Sequence, residues 1–100
     1  MQHVRVATYK MTKGTTKEAA DLAQSGMLPI FKGHKGFIGY SVLEIQGGEL
    51  MSISVWQSHQ DAEEATALAK DFVAKEMADR ISLEHSIVAD VLFSENALGD

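Results

Sequence analysis

The stretch GFIGYSVLEIQGGELMSISVWQS, residues 36–58, decides the fold. Phe37 to Ile45 and Leu50 to Trp56 are strand-like runs, rich in β-branched and aromatic residues, on either side of Gln46-Gly47-Gly48-Glu49. A Gly-Gly pair tolerates the positive φ angles of a tight hairpin turn. A two-residue Gly47-Gly48 turn sets Ile45 opposite Leu50, Val42 opposite Ile53, Tyr40 opposite Val55 and Gly39 opposite Trp56. On that register one face of the hairpin carries Ile38, Tyr40, Val42, Met51, Ile53 and Val55, a continuous apolar surface. The other carries the small residues Gly39, Ser41, Ser52 and Ser54 beside Phe37, Leu43 and Trp56.

Upstream, His3 to Met11 alternates, with Val4, Val6 and Thr8 on one parity and Arg5, Ala7, Tyr9 and Met11 on the other, as a strand does. Thr15 with Glu18 has capping-box spacing, and Ala19, Leu22, Ala23, Met27, Ile30 and Phe31 then recur at helical spacing. Gly26 and Pro29 predict a kink or a loosened final stretch in this helix. Downstream, Ser58 and Asp61 repeat the cap, and a stripe from Ala62 through Phe72 and Met77 to Ile81 predicts a long second helix. A last strand is expected from about His85 to Phe93. The order βαββαβ is the α+β, ferredoxin-like split βαβ arrangement, a four-stranded antiparallel sheet with two helices on one face. Residues 1–94 form the expected domain and residues 95–100 a C-terminal tail. Two helices cover one face of the sheet, so the other is expected to meet the same face of a second chain in a two-fold homodimer.

Composition narrows the function. A chain of 100 residues, 45% hydrophobic and with a formal net charge of −5, supports one core and lacks the basic patch that phosphate binding needs, so no nucleic-acid partner is expected. No apolar run approaches a membrane span, so no membrane partner is expected. Without cysteine there is neither a disulfide framework nor a thiolate site, and the start Met-Gln-His-Val-Arg lacks a signal-peptide layout; a cytoplasmic protein is the expectation. The four His, at 3, 34, 59 and 85, show no metal-ligand spacing, so no metal site is expected, and His34 and His59 read as solvated. Nucleophile-elbow and dinucleotide motifs are missing.

The candidate site is the strip of small residues. Gly39, Ser41, Ser52 and Ser54 next to Trp56, with Phe72 from the second helix, leave volume for a small-molecule substrate under the helices; the competing reading is that they only make room for packing. Arg5 and Tyr9 share a strand parity and Asp90 interrupts the last strand, so these three are the catalytic candidates, with an Arg5–Asp90 cross-strand pair as the structural alternative.

The residues His34-Lys35-Gly36-Phe37-Ile38-Gly39-Tyr40 and Ser54-Val55-Trp56-Gln57-Ser58, with Thr12-Lys13-Gly14-Thr15 before the first helix, resemble the antibiotic biosynthesis monooxygenase superfamily over about residues 3 to 94. The resemblance implies a dimeric α+β barrel with a ligand pocket in each subunit between sheet and helices. It also implies a cofactor-independent monooxygenase acting on a small, largely apolar aromatic phenol or quinol, with a non-catalytic small-molecule binding module or a bare dimerisation unit as alternatives. In that reading Trp56 walls the pocket, Arg5 and Tyr9 orient or stabilise an anion, and Asp90 or a His takes the proton. Similarity to the superfamily's haem-degrading branch is visible at Thr12-Lys13-Gly14-Thr15 and Val55-Trp56-Gln57-Ser58, which places Trp56 at that branch's ring-distorting Trp, and goes no further. Ala7 and Lys75 stand where that branch has an Asn and its haem-ligating His, so no haem and no other cofactor is expected.

Overall fold

The computed structural model describes residues 1–95, so the last five residues of the expected tail lie outside it. Four strands, β1 (His3–Met11), β2 (Phe37–Ile45), β3 (Glu49–Trp56) and β4 (Ile81–Asp90), form one antiparallel sheet in the order β2-β3-β1-β4. The helices α1 (Thr16–Leu22), α2 (Leu28–Lys32) and α3 (His59–Phe72) pack on one face of it. This is the ferredoxin-like α+β architecture read from the sequence.

Local chemistry explains the elements. The Thr15 hydroxyl accepts from the Glu18 N–H while the Glu18 carboxylate accepts from the Thr15 N–H, a complete capping box. Ser58 caps α3 through the Asp61 N–H. The first helix does not break at Gly26 and Pro29. A π-helical turn, Ala23–Met27, joins α1 to α2, with the Leu28 N–H reaching back to the Ala23 carbonyl. Pro29 has no N–H to donate four residues back, and the widened turn before it gives its ring room. A second π-helical turn, Val73–Met77, extends α3.

Three expectations are corrected. The β2–β3 loop has three residues, Gln46-Gly47-Gly48, so Ile45 pairs with Glu49, Val42 with Ser52 and Tyr40 with Ser54. Gly47 and Gly48 both take positive φ, 104° and 92°, and the Gly48 N–H donates to the Ile45 carbonyl. A one-residue slip turns every side chain of one strand to the other face. Tyr40 and Val42 therefore lie with Ser52, Ser54 and Trp56, whereas Gly39 and Ser41 lie with Ile53 and Val55 on the far face. A bulge at Ile38 sets Phe37, not Gly39, opposite Trp56. The last strand starts at Ile81, which the helical stripe had claimed, because the Arg80 carbonyl is held by the Thr12 and Lys13 N–H groups at the end of β1. Finally, Arg5 faces Val88, and the partner of Asp90 is His3.

Candidate functional site

The two central strands alternate strictly. Arg5, Ala7 and Tyr9 of β1 and Leu50, Ser52, Ser54 and Trp56 of β3 are buried, and the residues between them are more exposed. Across the sheet these residues form rows. Val88, Arg5, Ser54 and Tyr40 lie in one, Ser86, Ala7, Ser52 and Val42 in the next, and Leu83, Tyr9, Leu50 and Glu44 in a third. The middle row is low because Ala7 and Ser52 are small. Above it the helices also present small residues, Ala19, Ala23 and Ala69. The outcome is a small apolar recess, open to solvent on one side, with a cavity volume of about 30 Å³.

Arg5 is the charged group of this recess. It is 2% exposed, its Nη2 donates to the Tyr9 hydroxyl at 3.4 Å, and its Nε has no partner among the described residues. Ala7, buried between Arg5 and Tyr9 on the same face, is small enough for the Arg5 chain to run along the strand to the Tyr9 hydroxyl. None of the ion pairs among the described residues involves Arg5, and the lining includes neither a carboxylate nor an imidazole. A buried cation without a counter-charge is costly, so the position favours an anion that enters with the ligand. Tyr40 adds a second phenol to the lining. Burial pushes its ionisation upward, the neighbouring Tyr9 adds to that, and Arg5 opposes it. Tyr40 therefore keeps its proton at neutral pH and can donate it in a hydrogen bond.

The sequence-predicted residues separate into groups. Arg5, Tyr9, Ser52 and Phe72 line the recess together. Trp56 is fully buried on the same sheet face but outside the recess, edge-on to Phe31 at 5.1 Å, His34 at 5.4 Å and Phe37 at 5.5 Å, and Ser54 is buried with its hydroxyl unpartnered among the described residues. Gly39 and Ser41 belong to the opposite face, and nothing lies within 4 Å of where a Gly39 Cβ would be. Asp90 is at the sheet end, hydrogen-bonded to His3 at 2.7 Å, and does not line the recess.

Other features were not read from the sequence. The two-residue turn puts Tyr40 on the far face, whereas the observed register sets it beside Ser54 on the helix side. Both π-helical turns border the recess, through Ala23 and Met27 on one side and Val73 and Met77 on the other. Such turns recur at functional sites; Gly26 and Pro29 signal a loosened stretch at the first, and no residue pattern announces the second. His34 is not solvated; its side chain is 16% exposed, with Nε2 at 2.7 Å from Glu64 and Nδ1 accepting from the Gly36 N–H at 3.3 Å.

No family model matches the chain, and no curated protein gives a significant sequence match. Solved structures do match. SnoaB, a cofactor-independent oxygenase from Streptomyces nogalater, superposes with a TM-score of 0.68 at 16% identity over 99% of this chain and 98% of its own. A protein of unknown function from Nitrosomonas europaea, NE2512, gives a TM-score of 0.75 at 14% identity over 98% and 96%. A Chloroflexus aurantiacus protein provisionally assigned to antibiotic biosynthesis monooxygenases gives 0.68 at 14% identity over 99% and 100%. The chain thus has the antibiotic biosynthesis monooxygenase-type fold. Among the described residues no helix is long and apolar enough to cross a membrane.

Proposed function

We propose that the protein binds a small, largely apolar phenol or quinol as its anion in the recess and oxidises it with molecular oxygen as a cofactor-independent monooxygenase. The observation that carries this reading is Arg5, buried without a carboxylate partner among the described residues, beside the Tyr9 hydroxyl in a largely apolar space. The fold shared with a cofactor-independent oxygenase supports it. A guanidinium at the phenolic oxygen favours the phenolate, and Tyr9 and Tyr40 donate to the same oxygen. The phenolate ring carbon then supplies electrons to oxygen. One oxygen atom bonds to that carbon, the other leaves as water with two substrate hydrogens, and the substrate is the sole reductant. The apolar helices keep bulk water from the intermediate. Admitting a ring requires Met27, Met77 and Phe72 to swing aside, which unbranched methionines do readily.

A second reading is favoured by the lining itself. It offers no carboxylate or imidazole to take the phenolic proton, which suits a module that binds the ready-made anion without turnover. Oxygen uptake with 1-naphthol separates the two. The oxygenase consumes one O₂ and forms one naphthoquinone per naphthol, and Arg5→Met lowers the rate at least tenfold in a folded protein. Saturable quenching of Trp56 emission without oxygen uptake establishes the binding module; neither response, across a panel of phenols, sinks both. The protein is proposed to work as a homodimer through the sheet face that the helices leave bare.

A further inference from the structure

Three segments far apart in the sequence converge at one end of the sheet. His3 opens β1, Asp90 closes β4, and His59 opens α3. His3 Nδ1 lies 2.7 Å from an Asp90 carboxylate oxygen, and the His3 and His59 rings stand edge to face at 6.2 Å. One nitrogen of each imidazole and an Asp90 oxygen all fall within 4.8 Å of one another. None of the three lines the recess.

We propose that His3, His59 and Asp90 form a binding site for a divalent transition metal, with zinc the best match. Two imidazoles and one carboxylate are a borderline nitrogen and oxygen donor set, which suits Zn²⁺ better than the oxygen-seeking Mg²⁺ or Ca²⁺. Donors around a tetrahedral zinc with bonds of about 2.1 Å stand roughly 3.4 Å apart, so side-chain rotation alone draws these atoms in. His3 is the anchored member, its side chain 17% exposed, while His59 and Asp90 are more than half exposed and free to adjust. Glu63, one helical turn after His59, places a carboxylate oxygen 2.8 Å from its Nε2 and is placed to orient that ring. Three protein donors leave a fourth position for water or a small anion. The other cluster, His34 with Asp61 and Glu64, offers one imidazole, whose two nitrogens already face Glu64 and the Gly36 N–H. The spacing of 3, 59 and 90 gives no hint of the site, because it takes the pairing of β1 with β4 and the start of α3 over their end to bring them together.

Tag-free protein titrated with Co²⁺ should develop visible d–d bands that saturate at one equivalent per chain and vanish when Zn²⁺ is added. His59→Gln and Asp90→Asn should each weaken Co²⁺ binding at least tenfold, while His34→Ala leaves it unchanged. Zinc should raise the melting temperature of the wild type and not that of His59→Gln. Absence of a saturable cobalt spectrum at millimolar metal overturns the site. So does binding lost in His3→Ala but kept in His59→Gln and Asp90→Asn, or binding lost in His34→Ala.

Discussion

Arg5 is where stability and the proposed anion binding pull apart. The residue is 2% exposed, and its guanidinium has one long hydrogen bond, to Tyr9, among the described residues. A residue that only served packing would not be a cation there, since an apolar side chain of similar length avoids the desolvation cost. Arg5→Met should therefore leave the ligand-free protein as stable or stabilise it by on the order of 1 kcal/mol in urea unfolding, while removing phenolate binding. A loss of more than about 2 kcal/mol would mean that the free protein already satisfies the guanidinium, and would remove the case for an anionic ligand. Sequence parity alone placed Arg5 and Tyr9 on one face, because a strand repeats every second residue. It could not show that Asp90 goes to His3, since that depends on strand β4 and its register.

At the scale of elements, what was legible followed from local chemistry and what was not followed from counting across a turn. The Thr15–Glu18 and Ser58–Asp61 caps signal their helices within four residues. The hairpin was equally visible, yet two- and three-residue loops both accept Gly47 and Gly48, and the choice between them moves Tyr40 from one face to the other. The start of β4 was hidden because Ile81 continues the helical stripe as well as it opens a strand. Two glycines at the beginning of β2 show how differently one residue type can be used. A Cβ at Gly36 would run into the Asp61 carboxylate at the start of α3, whereas one at Gly39 meets nothing within 4 Å. The Gly36 carbonyl also accepts from the Gln57 N–H at 2.9 Å, so this close approach fixes where β2 enters beside α3. Gly36→Ala should cost about 1–3 kcal/mol by overpacking, and Gly39→Ala should stay within about 0.5 kcal/mol in the isolated chain, both read from denaturant midpoints. Equal effects at the two positions would contradict the hairpin geometry.

For the whole molecule the open question is the uncovered face of the sheet. Val4 and Val6 of β1 share that face with Ile53 and Val55 of β3, as their register requires, and Ile87 of β4 is 58% exposed beside Val6. The helices α1, α2 and α3 pack on the other side, so this apolar surface has no cover within the described chain. Contiguous apolar faces of this kind mark association sites, and a two-fold dimer buries the same patch on both partners at once. Light scattering should therefore report twice the 10.9 kDa chain mass. Ile53→Asp puts a carboxylate at the middle of the face, opposite Val6 and Ser41, where it is tolerable in water but costs several kcal/mol when buried against a second chain. The variant should run as a monomer with the circular dichroism of the wild type, because the residue is only partly buried in the single chain. A wild type that scatters as a monomer at tens of micromolar, or an Ile53→Asp variant that stays dimeric, would show that this face is not the interface. A variant that unfolds instead would mean that the fold depends on its partner; Met51→Lys, nearer the edge of the same face, should then weaken association without unfolding the chain.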